Sequence, residues 1–176
     1  MAKLTTMLVA FGAVAALLAL LGFGLVKGSS ATEVAAAGRQ ASNFELAGFD
    51  GSVQRLSDHG GKVVVVNFWA AWCQPCRDEQ ATLERVWQAY RGRGVVLLGV
   101  NVWDKESAAR AHLAEFGVTY PNGRSPNGDV AVEYGITGLP ETYIVSPNGR
   151  ILRKHVGPVT DERLSSWLDE ALTAGS

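Results

Sequence analysis

An apolar, β-branched run leads directly into the only two cysteines of this chain, and this junction constrains the fold more than any other feature. The run from Val63 to Phe68 reads VVVVNF, which is the composition of a buried strand. The more polar segment from Cys76 to about Tyr90 favours a helix. Cys73 and Cys76 are therefore predicted to lie at a helix N-terminus, where unpaired N–H groups and the helix dipole stabilise a thiolate. A pair so placed can cycle between dithiol and disulfide, which indicates a thiol–disulfide oxidoreductase.

The two sulfurs are expected to have different roles. We interpret Cys73, at the exposed end of the strand-to-helix turn, as the nucleophile, because the thiolate is the form that attacks a substrate disulfide. Cys76 follows one helical turn later and is expected to be more buried and to resolve the mixed disulfide. The alternative is a purely structural disulfide between them, but so short a closed loop restrains the unfolded chain only weakly.

Composition argues against several other classes of protein. The net charge is −1, and Lys and Arg form no basic stripe, so nucleic acid is not an expected partner. His59, His112 and His155 are scattered and supply no second ligand pair at the spacing of a zinc site. Two cysteines are too few for a disulfide-stapled scaffold. We therefore predict neither a metal nor another cofactor.

The N-terminal segment is predicted to lie outside the globular fold. Residues 7–26 carry no charge, and about 20 apolar residues that rise about 1.5 Å each cross a bilayer core of about 30 Å. We interpret residues 1–27 as a membrane anchor, residues 28–38 as a tether and residues 39–176 as one globular domain. A cleaved signal peptide is the alternative, with Ala35-Ala36-Ala37 as its cleavage site. Either version predicts that the globular domain lies outside the cytosol.

Hydrophobic periodicity and turn residues predict an α/β domain with a mixed sheet and helices on both faces. Two hairpins are expected, one turning at Phe49-Asp50-Gly51 and the other at Pro147-Asn148-Gly149. The predicted strands are 43–46, 52–56, 63–69, 95–102, 141–146 and 150–156. The predicted helices are 77–91, 105–116, 129–134 and 161–172, with a turn or short helical piece at 57–61 and a loop at 121–128.

Several separate motifs together resemble one family. They are Asn67-Phe68-Trp69, then Trp72-Cys73-Gln74-Pro75-Cys76 with Glu79, and the later segment from Gly138 to Val145, which reads GLPETYIV. With the predicted anchor, they resemble the TlpA/ResA/DsbE group of exported thioredoxin-like reductases associated with cytochrome c maturation. The resemblance extends from about Phe44 to Leu172. It implies a thioredoxin fold, here with an added N-terminal β-hairpin, and a cis peptide bond before Pro140 beside the cysteines.

The resemblance also suggests which residues meet a substrate. A cis turn at Pro140 would leave the backbone of Leu139 free to pair with an extended substrate segment. Trp72 is expected either to form a platform for the partner or to be a half-buried packing residue. Gln74 and Pro75 lie between the cysteines, where Gln74 can touch substrate and Pro75 begins the helix and affects the redox potential.

Acidic and other polar residues near the motifs receive more divided interpretations. Glu79 lies three residues after Cys76, so the two side chains share one side of the helix. If Glu79 is buried, its pKa rises and it can exchange a proton with Cys76, a role that the resemblance favours; otherwise it is an exposed first-turn residue. Glu141 is expected to be solvated at the end of its strand, with contact to a substrate as the alternative. Asn101 and His155 are assigned no catalytic role.

Together these interpretations predict a membrane-anchored, extracytoplasmic thiol–disulfide reductase. Its expected substrate is the oxidised Cys-x-x-Cys-His segment of apocytochrome c, and its expected electron donor is a thiol carrier in the membrane. Three alternatives stay open from the sequence. They are a disulfide oxidant or isomerase of exported proteins, a peroxidase, and a non-enzymatic module that senses redox state or holds a partner.

Overall fold

The computed structural model describes residues 38–125 and 129–174, together with isolated helical positions at 12, 14, 17 and 18. The predicted anchor and tether lie almost entirely outside these residues and stay predictions. Within the described part of the chain, no helix has the length and apolar character needed to cross a bilayer.

The described domain alternates strands and helices along the chain. The strands are β1 Glu45–Gly48, β2 Val53–Arg55, β3 Val63–Trp69, β4 Val95–Asn101, β5 Asn122–Arg124, β6 Glu141–Val145 and β7 Ile151–Val156. The helices are α1 Gln74–Tyr90, α2 Glu106–Glu115, α3 Val130–Glu133 and α4 Asp161–Ala174, and a 3-10 turn covers Leu56–His59. Both predicted hairpins are present, as β1–β2 and β6–β7.

All of these strands belong to one mixed sheet in the order β2-β1-β5-β4-β3-β6-β7. The central strand β3 runs parallel to β4, and β4 runs parallel to β5. The remaining neighbours are antiparallel. The carboxyl ends of β3 and β4 therefore meet the first residue of β6 at one edge of the sheet, because Trp69 is paired with Asn101 and Phe68 with Glu141. This edge carries the cysteines.

Alternation along β3 divides the core into two layers. Val64, Val66 and Phe68 face a cluster that includes residues of α3. Val63 and Val65 face the opposite cluster, which is built with residues of α1 and α4. Helices thus cover both faces, as the sequence predicts, and every residue of β3 is buried because both of its faces are covered.

The segment predicted as a loop at 121–128 contains a strand, and that prediction is wrong for residues 122–124. β5 pairs with β4 on one side and with β1 on the other, so it joins the N-terminal hairpin to the central sheet. Gly123 permits this join, since a Cβ there would lie 2.7 Å from the carbonyl oxygen of Ala47. The Asn-Gly-Arg sequence carries no apolar alternation, and the pairing comes from its neighbours.

Candidate active site

Cys73 and Cys76 are joined by a disulfide at the start of α1. Cys73 is the N-cap residue, and its sulfur accepts a hydrogen bond from the backbone N–H of Cys76 at 3.2 Å. The helix begins at Gln74, earlier than the predicted start at Arg77. Pro75 lies in the first turn, where a residue without an N–H costs no helical hydrogen bond. The cysteines therefore lie where the unpaired N–H groups and the dipole of a helix N-terminus favour a thiolate in the reduced protein.

The cysteines are less accessible than the sequence suggested. Cys73 is 4% exposed and Cys76 is 1% exposed, so Cys76 is the more buried of the two, as expected. The expectation that Cys73 is open to water is wrong for the disulfide form. The two cysteines belong to an apolar cluster, whose other members and neighbours are Trp69, Ala70, Ala109, Phe49, Ala71, Leu113 and Leu139.

Trp72, directly before the nucleophile, is 62% exposed and is not the half-buried packing residue of the alternative interpretation. Its indole Nε1 donates to the carbonyl oxygen of Trp103 at 2.9 Å. Gln74 is also exposed, and its amide donates to Asp78 at 2.8 Å. Trp69, by contrast, is a core residue whose Nε1 donates to Asn122 at 2.9 Å.

Asp104, which the sequence did not single out, fixes the loop of residues 70–73 between β3 and α1, called here the cysteine loop. Its Oδ2 accepts the backbone N–H of Ala71 at 2.6 Å. The same oxygen accepts from the amide of Asn101 at 3.0 Å, so Asn101 orients this carboxylate rather than a substrate. No local motif announces this contact, because Asp104 and Ala71 meet only when β3 and β4 lie side by side.

The peptide bond between Leu139 and Pro140 is cis, as the resemblance implies. Leu139 packs against the cluster that contains both cysteines, so this turn lies beside the disulfide. Pro140 is buried, and its carbonyl accepts a hydrogen bond from the N–H of Gly157 at 2.9 Å. Among the described residues, no hydrogen bond involves the backbone of Leu139, which leaves it available to an extended polypeptide.

Glu141 is fully buried, so the expectation that it is solvated is wrong. Its Oε2 lies 2.9 Å from the ammonium of Lys154, whose side chain is only 3% exposed. Its Oε1 accepts the backbone N–H of Thr137 at 2.8 Å and that of Gly138 at 3.2 Å. A carboxylate can be buried here because the cation and these donors replace its water. Glu141 consequently fixes the residues that lead into the cis turn.

Glu79 lies on α1 one turn after Cys76, and it is buried rather than exposed. Its Oε1 accepts from the amide of Asn67 at 2.9 Å, and its Oε2 accepts the backbone N–H of Val159 at 2.8 Å. Burial raises the pKa of Glu79 to about 7, against the opposing effect of these two hydrogen bonds. The carboxyl group can therefore gain or lose a proton near neutral pH.

A second buried polar group lies behind the cysteines and was also missed from the sequence. His112 on α2 is buried and stacks on Trp69 with ring centroids 4.7 Å apart. Its Nε2 lies 3.0 Å from the amide oxygen of Gln80. Burial and the nearby Arg77 guanidinium lower the pKa of His112, so its neutral form is favoured. We interpret His112 as a packing residue that supports α1.

A thioredoxin-like sheet with a Cys-x-x-Cys disulfide at a helix start, beside a cis-proline turn, defines a thiol–disulfide oxidoreductase. The chain belongs to the AhpC/TSA family, whose model matches residues 37–154.

Comparison with known proteins agrees with this assignment. The thiol-disulfide oxidoreductase ResA of Geobacillus thermodenitrificans is 32% identical over 154 residues, which span 87% of this chain and 88% of that protein. The thiol:disulfide interchange protein HelX of Rhodobacter capsulatus is 38% identical over 113 residues, 64% of this chain and 62% of its own length. The crystal structure of a proposed interchange protein DsbE from Chlorobium tepidum superposes with a TM-score of 0.73 at 33% identity, covering 77% of this chain and 97% of that one. These similarities confirm the resemblance to the ResA and DsbE group.

Proposed function

We propose that the protein is held in the cell membrane by residues 7–26 and reduces disulfides on the extracytoplasmic side. The substrate is the oxidised Cys-x-x-Cys-His segment of apocytochrome c, and a thiol carrier in the membrane supplies the electrons. Haem attachment to that segment needs free thiols, while an oxidising compartment converts them to a disulfide. The uncharged apolar segment supports the anchor. The similarity to proteins named ResA and HelX supports the reaction.

One observation carries the proposal: the Cys73–Cys76 disulfide lies at the N-terminus of α1 next to Leu139, whose backbone is free. In the reduced protein, the Cys73 thiolate attacks one sulfur of the substrate disulfide, and the other substrate sulfur leaves as a thiolate. The sulfur of Cys76 then attacks Cys73, which restores the disulfide and releases the second substrate thiolate. Two electrons pass to the substrate, and the membrane carrier returns the protein to the dithiol.

Glu79 is suited to the second of these steps. Cys76 must lose a proton before it can attack, because the thiolate is the reactive form. Glu79 shares its helical face three residues away, and a pKa near 7 allows the carboxylate to take up that proton. Glu79→Gln is expected to slow release of the mixed disulfide and to remove an ionisation near pH 7 from its pH profile. An unchanged profile would exclude this role for Glu79.

Trapping the intermediate tests the reaction directly. The full-length Cys76→Ser variant, kept in mild detergent, is reduced and mixed with a peptide that contains an oxidised Cys-x-x-Cys-His sequence. The expected product is a disulfide adduct on Cys73, seen by mass spectrometry and released by dithiothreitol. The matched Cys73→Ser variant is expected to form far less adduct. Equal adduct on the two variants would contradict the assignment of the nucleophile.

The direction of electron flow requires a separate measurement. A reduction potential well below about −200 mV for the Cys73–Cys76 couple supports a reductase, whereas a value near −120 mV would indicate an oxidant. Turnover of hydrogen peroxide by the reduced protein would instead favour a peroxidase. A holding module would instead bind its partner equally well as wild type and as Cys73→Ser, and the wild type would show no exchange chemistry.

A further inference from the structure

Trp103 is an exposed tryptophan beside the active site, and it has no role in the exchange reaction proposed above. It lies in the loop between β4 and α2 and is 58% exposed. Trp72 and Trp103 are the two exposed aromatic side chains of the described residues, whereas the other tryptophans there are buried or half-buried. Both adjoin the cysteine loop, since the Trp72 indole donates to the Trp103 carbonyl. The exposed aromatic surface of the described domain is therefore concentrated at the disulfide.

The backbone of Trp103 is held in a conformation that a bulky residue rarely adopts. Its φ is +53°, and it is the one residue other than glycine with a positive φ in the described part of the chain. Such a conformation is energetically costly for a residue with a Cβ and persists only where the surroundings favour it. Burial of the ring does not compensate this cost, because most of the side chain is in solvent.

Hydrogen bonds on both sides of Trp103 tie it to the cysteine loop and to Trp69 directly before that loop. Before it, the N–H of Val102 donates to the carbonyl of Trp69 at 3.1 Å. After it, Asp104 accepts the N–H of Ala71 at 2.6 Å. The hydrogen bond from Trp72 engages the carbonyl of Trp103 itself. These contacts hold the Trp103 backbone against the cysteine loop, while most of the Trp103 side chain stays in solvent.

We propose that Trp103, together with Trp72, forms an aromatic surface that binds an apolar or aromatic side chain next to the reacting cysteine of a polypeptide substrate. A polypeptide is the occupant that fits, because Leu139, which packs against the same cysteine cluster, offers an unpaired backbone to an extended chain. In this arrangement, a substrate segment pairs with Leu139, its reacting cysteine meets Cys73, and a neighbouring side chain contacts the tryptophans. The inference rests on exchange chemistry at Cys73 and not on the direction of electron flow.

The test compares two disulfide peptides that differ only in the residue beside the reacting cysteine, Phe in one and Ser in the other. The reduced full-length protein reacts with each, and both rates are divided by its rate with glutathione disulfide, which corrects for changes at the sulfurs. Trp103→Asn removes the ring while retaining a residue that tolerates positive φ. It is expected to lower the preference for the Phe peptide about 3- to 10-fold, the range expected for loss of an aromatic pair.

Two further variants make the result specific. Trp103→Phe keeps an aromatic ring and is expected to retain most of the preference. Val132→Asn removes an exposed apolar side chain on α3 and is expected to leave the preference unchanged. An unchanged preference in Trp103→Asn would overturn the inference, as would an equal loss in Val132→Asn. A Trp103-dependent dimer in sedimentation, with peptide rates unaffected, would overturn it in favour of a second copy as the occupant. The reduction potential tests the reductase proposal independently of all these outcomes.

Discussion

Replacement of Glu79 by glutamine is expected to change how the stability of the protein depends on pH. Burial raises the pKa of this carboxyl group from 4.5 to about 7 in the folded protein. Between these values the folded state holds a proton that the unfolded state has lost, so the free energy of unfolding falls as pH rises. At about 1.36 kcal/mol per unit, Glu79 lowers the stability by about 3 kcal/mol between pH 4.5 and pH 7. The glutamine side chain of the variant does not titrate, so the variant lacks this loss.

The assay is urea unfolding of the oxidised full-length protein and of Glu79→Gln, measured between pH 4 and pH 8. The difference between the two proteins removes the contribution of all groups that titrate alike in both. Wild type is expected to lose about 3 kcal/mol relative to the variant as pH rises through this window, with no further loss above about pH 7. The carbonyl and amide of the introduced glutamine preserve the volume of the site, so packing contributes a constant difference.

Glu84, on the same helix, is expected to change the stability with pH in the direction opposite to Glu79, and it therefore serves as a control. Burial acts to raise its pKa, but hydrogen bonds from Gln88 and Thr119, aided by Arg91, hold the pKa below its usual value. Glu84 therefore contributes stability that is present above its unfolded pKa and is lost as pH falls through its folded pKa. A stability difference between wild type and Glu79→Gln that is constant from pH 4 to pH 8 would refute the reasoning about burial.

Two more substitutions test the packing around the site. Gly99→Ala is expected to destabilise the fold by about 1–3 kcal/mol in urea unfolding, because the added Cβ would lie 1.8 Å from the amide oxygen of Asn122. Gly92→Ala serves as the matched control and is expected to lose no stability, because a Cβ at Gly92 meets nothing within 4 Å. Glu141→Gln leaves the ammonium of Lys154 buried without its counter-ion and is expected to cost about 3–5 kcal/mol. Adding Lys154→Met is expected to recover a large part of that loss, and strictly additive effects of the two changes would contradict an ion pair.

The sequence predicted best those features that depend on local pattern. The strand Val63–Trp69 has the predicted bounds, because a β-branched run buried on both faces has few other conformations. The order of exposure of the two cysteines also follows from their positions at a helix start. The cis bond before Pro140 came from the resemblance, since most prolines in folded proteins are trans.

The sequence predicted least those features that arise when distant segments meet. β5 is three residues long, and Asn-Gly-Arg becomes a strand only because β1 and β4 lie on either side of it. Glu141 looked like a solvated residue at the end of a strand because its cation, Lys154, is on the neighbouring strand. Asp104 has no sequence signal for a role at the cysteine loop. In each case the structure depends on a contact partner that is distant in the sequence and that only the pairing of the strands brings close.

Three acidic side chains near the disulfide hold the loops around the site in a fixed geometry. Asp104 accepts an N–H of the cysteine loop, Glu141 accepts N–H groups of the cis-proline loop, and Glu79 accepts the N–H of Val159 before α4. Each carboxylate comes from a different element and binds backbone donors that the sheet leaves unpaired. Glu79 differs in sharing a helical face with Cys76, and under the proposed mechanism it takes up the proton that Cys76 loses, so a change in its charge would also alter its contact with the N–H of Val159. Oxidation of the cysteines and the position of the loop at Val159 are therefore expected to be coupled through the proton on Glu79.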